Sequence, residues 1–247
     1  MKLQLRNGEI FNQKDNIKIS DNNFNHLISN LNRDFRNNPF IKINQGKEVI
    51  FRLRNRNYKS WLKFTILEDT RLIIEPKISG IGIAMQYEGG FLKNAISRNG
   101  IDQIKRIELV ENVPKKIPIK NDLYIRGELY SKGFSSYESK KRTRRYLVSK
   151  MQKIESINFS AFQIINSNLN HLSQIKQLKR LGFEVPKNEY TKSRTSEVEI
   201  YKNLWEKGFL FKEYPTSGIV LKVNSRKLQK QLEENCIYPL WAYIIKE

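Results

Sequence analysis

The chain has 247 residues, enough for one large domain or two modest ones, and its 39% hydrophobic content, including 13 Phe and 11 Tyr, supports a real core. One cysteine, Cys236, excludes an internal disulfide and a zinc site built on paired cysteines. Lys and Arg total 45 against 25 acids, a net charge of +20, which favours a polyanionic partner because each neutralised phosphate releases condensed counterions.

An Asn-, Lys- and Ile-rich composition also arises in AT-rich genomes, which accounts for part of that excess. The two histidines, His26 and His171, argue against a histidine triad or a histidine-rich metal centre, and each reads as an ordinary surface or helix residue. No apolar stretch approaches the roughly 20 residues a membrane span needs. Met1-Lys2-Leu3-Gln4-Leu5-Arg6 lacks the apolar region of a signal peptide. A cytoplasmic protein without a membrane partner is expected.

Residues 1–60 are polar, with candidate strands at Gln4–Arg6 and Val49–Arg54 and a weak helix over Asp21–Asn38. This segment is expected to pack on a core formed by residues 61–247. From Trp61 the pattern sharpens. Trp61–Leu67 and Arg71–Glu75 read as strands, and Ile81–Tyr87 and Phe91–Ser97 form a hairpin through Glu88-Gly89-Gly90. Leu123–Leu129 is a further strand. Ser139–Ile154 is a basic helix, Phe159–Ile165 a strand, and Leu169–Leu181 a helix with Leu172, Ile175, Leu178 and Leu181 at helical spacing, stopped by Gly182. Glu197–Lys207 is helical and closed by Gly208; Ile219–Val223, Arg226–Glu234 and Leu240–Ile245 read as strand, helix and strand. No linker or repeat divides this order, so it predicts one α+β domain built on antiparallel sheets.

Charged residues recur at strand ends. Glu75 and Lys77 lie in Ile73-Ile74-Glu75-Pro76-Lys77-Ile78-Ser79-Gly80, Arg98 follows the hairpin, and Arg126-Gly127-Glu128 ends a strand. Lys222 and Lys246 sit in late apolar strands. A charge inside an apolar strand must snorkel, pair or face a ligand. Alternation puts Val220 and Lys222 on one face, which leaves Lys222 either outward in solvent or turned to a ligand.

The order of these pieces resembles the adenylation domain of NAD-dependent DNA ligases. That family has a Lys-x-Asp-Gly nucleophile motif, a glycine-turn hairpin, Thr-Arg-Gly, Arg-Gly-Glu, Asp-Gly-Val-Val-x-Lys-Val and Pro-Arg-Trp-Ala leading to a lysine. Here stand Glu75-Pro76-Lys77-Ile78-Ser79-Gly80, Tyr87-Glu88-Gly89-Gly90-Phe91-Leu92, Ser97-Arg98, Arg126-Gly127-Glu128, Ser217-Gly218-Ile219-Val220-Leu221-Lys222-Val223 and Pro239-Leu240-Trp241-Ala242 before Lys246. The resemblance spans roughly residues 70–247. It implies a nucleotidyltransferase core of antiparallel sheets, ATP-grasp-like.

The resemblance implies roles as well. Lys77 would attack an α-phosphorus and form a lysyl-adenylate. Lys222 and Lys246 would neutralise the α-phosphate. Glu128 would hold the ribose hydroxyls, with Arg98 in the same ribose-phosphate region, and Glu75 would read the adenine amino edge. Phe162 falls where the family stacks an aromatic ring on the base, although core packing explains it as well. Ile78 and Val220 would sandwich the base. NAD is the donor the family implies, ATP the alternative, and Mg²⁺ would screen the phosphates. The product would be a minimal polynucleotide ligase sealing nicked DNA or RNA in repair and replication.

Two departures stand out. Ser79 and Ser217 occupy the positions of family aspartates, which suggests either altered metal handling or a non-catalytic, ligase-like binding protein. No metal site is assigned to protein side chains. The N-terminal region lacks the Tyr- and Asp-rich segment that grips nicotinamide mononucleotide, so NAD is supported by the resemblance alone. No barrel, zinc module or helix-hairpin-helix array follows the last motif, which predicts a separate DNA-clamping partner protein. The basic run Lys140, Lys141, Arg142, Arg144 and Arg145 is the candidate nucleic-acid contact, with Tyr137 and Tyr146 placed to stack on exposed bases.

Overall fold

Arg71–Ile78 is buried almost throughout although it carries Glu75 and Lys77, and only its first residue is exposed, because this strand is covered on both faces. A computed structural model describes residues 58–66, 69–149, 156–165, 167–233, 239 and 241–246, together with the backbone of four short strands nearer the N-terminus. Those strands are β1 (Leu3–Gln4), β2 (Ile10–Phe11), β3 (Ile41–Asn44) and β4 (Glu48–Phe51), in the antiparallel order β2-β1-β3-β4. The helix expected over 21–38, the strand ends at 5–6 and 52–54, and both His26 and Cys236 lie outside the described residues.

Two further antiparallel sheets build the site. The first has the order β10-β5-β11-β12, where β5 is Arg71–Ile78, β10 Glu189–Lys192, β11 Thr216–Val223 and β12 Ala242–Ile245. The second has the order β7-β6-β8-β9, where β6 is Ile81–Glu88, β7 Phe91–Ser97, β8 Leu123–Ser131 and β9 Ile157–Ile164. The described helices are α1 (Tyr58–Thr65), α2 (Ile104–Ile107), α3 (Ser136–Val148), α4 (His171–Arg180), α5 (Thr195–Glu206) and α6 (Arg226–Glu233).

One expected strand is a helix. Trp61–Leu67 alternates when read from Trp61, but Tyr58, Trp61 and Leu62 are buried at i, i+3 and i+4, which is helical spacing. The basic helix begins at Ser136, three residues before the expected start. Its N-cap, Ser135, accepts from the Glu138 N–H at 3.3 Å. Helix α4 ends as expected at Gly182, whose φ of +89° lets Phe183 N–H close back on Leu178 O at 3.0 Å.

Each sheet turns one face to an apolar core. Leu72, Ile74, Ile219, Leu221 and Val223 pack with Trp61, Val198 and Trp205 from α1 and α5. Ile83, Met85, Tyr87, Leu129 and Phe159 pack with Ile175, Leu178 and Tyr146 from α4 and α3. The period of two then sends the alternate residues to the opposite face of each sheet, and among them are Glu75, Lys77, Lys222, Arg126 and Glu128. Among the described residues no helix is long and apolar enough to cross a membrane.

Candidate active site

Register places the first set of groups. In β5 and β11, Glu75 lies opposite Val220 and Ile73 opposite Lys222, and β12 continues the row with Ile244 and Ala242. Directly opposed residues share a face, so Glu75, Lys77, Val220 and Lys222 all stand on the side away from Leu72 and Leu221. Lys77 lies farther along β5, beside a bulge in β11 between Thr216 and Ile219. Gly218 sits in that bulge at φ +150°, where a Cβ would come within 2.1 Å of Ile245 O. Only glycine lets β12 run this close, and the next residue of that strand is the exposed Lys246. The two late lysines are therefore separated: Lys246 accompanies Lys77, whereas Lys222 accompanies Glu75.

The second sheet supplies the other wall. Glu128 lies opposite Gly82 on one side and Ser160 on the other, and Arg126 lies opposite Ala84. The Arg98 N–H donates to Gly82 O at 3.1 Å, so Arg98, Gly82 and Glu128 form a row across the sheet. The Glu128 carboxylate lies directly beside Gly82: a Cβ built there would stand 3.7 Å from Oε2, an ordinary contact. Contacts between the walls define a cleft. Lys222 Nζ lies 4.8 Å from the centroid of the Phe162 ring, and Arg126 lies 5.7 Å from the same ring. Phe162 occupies a register shift in β9 opposite Arg126 and Gly127, and it is half-buried at the cleft instead of belonging to either core. Ile78 is buried yet also outside both cores, and Val220 is half-exposed beside Glu75.

A histidine expected to be an ordinary surface or helix residue completes the base of the cleft. His171, the first residue of α4, is 1% exposed, and its Nε2 lies 2.6 Å from Glu75 Oε1. Lys222 Nζ donates to Glu75 Oε2, also at 2.6 Å. His171 is thus neither a surface residue nor an ordinary helix position. The signal was present: residues 171, 175 and 178 share the buried stripe of α4.

Burial alone would push the Glu75 carboxyl up, but Lys222 and His171 hold it down to about 2. Burial lowers His171 despite the adjacent Glu75. The imidazole is therefore neutral and contributes its Nε2–H, while the charge that stabilises Glu75 comes from the Lys222 ammonium. At the opposite wall, burial raises Glu128 against the pull of Lys77, its strongest cationic neighbour, followed by Arg126 and the Gly80 N–H. Two atoms on this wall, Arg126 Nε and Ser160 Oγ, are buried without a hydrogen-bond partner, a capacity that a ligand can satisfy.

The profile of the NAD-dependent DNA ligase adenylation domain matches residues 53–246. This chain belongs to that family. The DNA ligase of Borrelia garinii subsp. bavariensis is 28% identical over 214 residues, covering 76% of this chain and 32% of that ligase. The DNA ligase of Petrotoga mobilis is 27% identical over 251 residues, covering 91% and 36% respectively. The chain thus spans about a third of the length of these relatives. A solved structure named Pmar-Lig_Pre shares the fold, with a TM-score of 0.51 at 15% identity over 72% of this chain and 42% of that one.

Two serines stand where the resemblance led to an expectation of aspartates. Ser79 is buried; its Oγ bonds Ser136 Oγ at 2.7 Å, and its carbonyl accepts from Ser139 Oγ at 2.7 Å. It therefore ties the strand end after Lys77 to the first turn of α3. Ser217 lies half-exposed in the β11 bulge. Neither brings charge. Among the described residues no three His, Cys, Asp or Glu side chains gather as a metal site.

The basic helix of this adenylation domain divides its residues. Lys140, Lys141, Arg144 and Arg145 are exposed. Arg142 is half-buried, with its guanidinium 4.0 Å from the Phe134 ring centroid. Tyr137 is 73% exposed and open to stacking. Tyr146 is not: it is 2% exposed, its hydroxyl donates to Arg106 O at 2.6 Å, and Arg106 covers its ring at 4.2 Å. Tyr146 faces inward because it falls on the same buried stripe as Ser139 and Thr143.

Proposed function

We propose that this chain is an adenylyltransferase that works as the core of a minimal polynucleotide ligase, taking AMP from NAD and using it to seal nicked DNA. The placement of Lys77 carries the reading: it stands on one face with Glu75 and Lys222 and opposite Glu128. The Lys77 amine attacks the α-phosphorus of the donor and forms a phosphorus–nitrogen bond as the bond to nicotinamide mononucleotide breaks, with the displaced amine proton passing to solvent. The adenylate then passes to a 5′-phosphate, which frees Lys77. A 3′-hydroxyl attacks that activated phosphate, closing the phosphodiester and releasing AMP.

Each residue has a task in this scheme. Glu75 accepts from the adenine amino group, and Lys222 donates to the neighbouring ring nitrogen, an edge that an acceptor–donor pair matches. Phe162, Ile78 and Val220 hold the faces of the base. Glu128 takes the ribose hydroxyls. Lys246 and Arg98 answer the phosphate charge. Lys140, Lys141, Arg144 and Arg145 meet the phosphates of the nicked strand.

The test incubates the purified chain with adenylate-labelled NAD and, in parallel, labelled ATP. Label should become covalently attached from NAD, in an acid-labile bond, and Lys77→Ala should take none. Label from ATP alone would reassign the donor. The serines at 79 and 217 favour a second reading, a binding module without transfer; nucleotide binding without covalent label would establish it.

A further inference from the structure

The scheme above leaves His171 unused. A helix that only needed to pack on the second sheet would place an apolar residue at this point of the buried stripe, as it does with Ile175 and Leu178. Instead an imidazole reaches from α4 to Glu75, 96 positions away in sequence, and spends its Nε2–H on Oε1. Its backbone is fixed as well: the His171 N–H donates to Asn224 O at 2.9 Å, and Asn224 Oδ1 accepts from the Leu172 N–H at 3.0 Å. Asn224 directly follows β11, the strand that carries Lys222. The start of α4 is thus locked to the end of the strand that bears the cationic half of the pair.

We propose that His171 is a positioning residue that sets base selectivity: by holding Oε1 of Glu75, it keeps Oε2 and the Lys222 ammonium turned outward as an acceptor–donor pair for adenine. This rests on the proposed binding of a nucleotide in the cleft. When a base enters, Lys222 swings from Oε2 to the ring nitrogen, and Oε2 receives the amino group. Oε1 stays satisfied by His171 throughout, so the carboxylate neither rotates nor takes up a proton. Hypoxanthine reverses both partners, with a carbonyl oxygen facing Oε2 and a ring N–H facing the ammonium, and is rejected. Without the imidazole, Oε1 is a buried orphan. Lys222 then chelates both oxygens and withdraws from the base, or Glu75 protonates and becomes a donor that suits hypoxanthine. Either route erodes the preference for adenine.

The test measures binding of AMP and of IMP by calorimetry to the full chain and to His171→Leu, His171→Asn and His171→Gln. Wild type should bind AMP at least about a hundredfold more tightly than IMP. His171→Leu removes the donor, and His171→Asn is too short to reach, so both should shrink that ratio by about tenfold or more. Either variant suffices if the other fails to fold. His171→Gln keeps an N–H at similar reach and should retain the ratio. Equal losses for AMP and IMP in the Leu and Asn variants, with the ratio intact, would mean a purely structural histidine and overturn the proposal. So would a wild type that does not discriminate. Labelling of Lys77 on the same preparations separates the two claims: label without discrimination defeats only the role of His171, and discrimination without label defeats only the transfer reaction.

Discussion

Lys222 Nζ sits 2.6 Å from Glu75 Oε2 although 147 positions separate the two residues in sequence, and both side chains are almost fully buried. β5 and β11 bring them together by pairing Lys222 with Ile73, one step along the same face from Glu75. A buried ion pair with a third partner at hydrogen-bond distance is costly to break from one side. Removing one member leaves an uncompensated charge in the cleft.

Lys222→Met should therefore destabilise the fold by about 3–5 kcal/mol, read from urea unfolding midpoints at constant slope. The double variant Glu75→Leu with Lys222→Met should recover most of that loss while binding no adenylate. Full additivity of the two single changes would show that the pair is not coupled.

Acid should act through the same group. The Glu75 carboxyl is lowered from 4.5 to about 2, so its ionised form stabilises the native state above pH 4.5, and that contribution is lost as the pH falls towards 2. His171 adds to this in the same direction: its folded-state value lies below the usual 6.5, so protonation of the unfolded chain already begins to oppose folding below pH 6.5. Wild type and Glu75→Gln should differ in stability at pH 6, and the difference should narrow steadily between pH 4.5 and 2. A constant difference would contradict the assignment.

Lys246 and Gly218 should separate nucleotide handling from stability. Lys246→Ala removes an exposed cation next to the bulge beside Lys77; it should slow labelling of Lys77 by about a hundredfold, weaken AMP binding and leave stability nearly unchanged. Gly218→Ala should displace the end of β12, because the added carbon would meet Ile245 O at 2.1 Å. It should impair labelling and stability together.

Replacing Lys140, Lys141, Arg144 and Arg145 with alanine should weaken binding to nicked duplex and flatten its salt dependence, by about one unit of slope for each phosphate that is no longer neutralised. Tyr137→Ala should weaken it further. Tyr146→Phe should leave DNA binding alone and cost about 1 kcal/mol of stability, the worth of its bond to Arg106 O. Unchanged salt dependence in the fourfold variant would move the DNA-binding surface elsewhere.

Much of this protein was legible along the chain. Runs of strand-forming residues located β5, β6, β7, β8 and β11, glycines marked the hairpin and the helix ends, and the order of short motifs around Lys77, Glu128, Lys222 and Lys246 pointed to the family. These signals are local: a strand face, a turn and a four-residue motif are each written in neighbouring residues. What local reading could not supply was the approach of distant segments to one another. Alternation left Lys222 equally suited to solvent or ligand, and only its register against β5 put it beside Glu75 and apart from Lys246. Tyr146 looked like a stacking residue until helix phase turned it into the core. His171 looked ordinary because its partner lies on another sheet, and its desolvation and pairing exist only once α4 docks. The chemistry of the amino acids thus determined which groups were available, and tertiary packing decided which were brought within hydrogen-bonding distance and stripped of water, because burial and pairing belong to the folded arrangement and to no single stretch of chain.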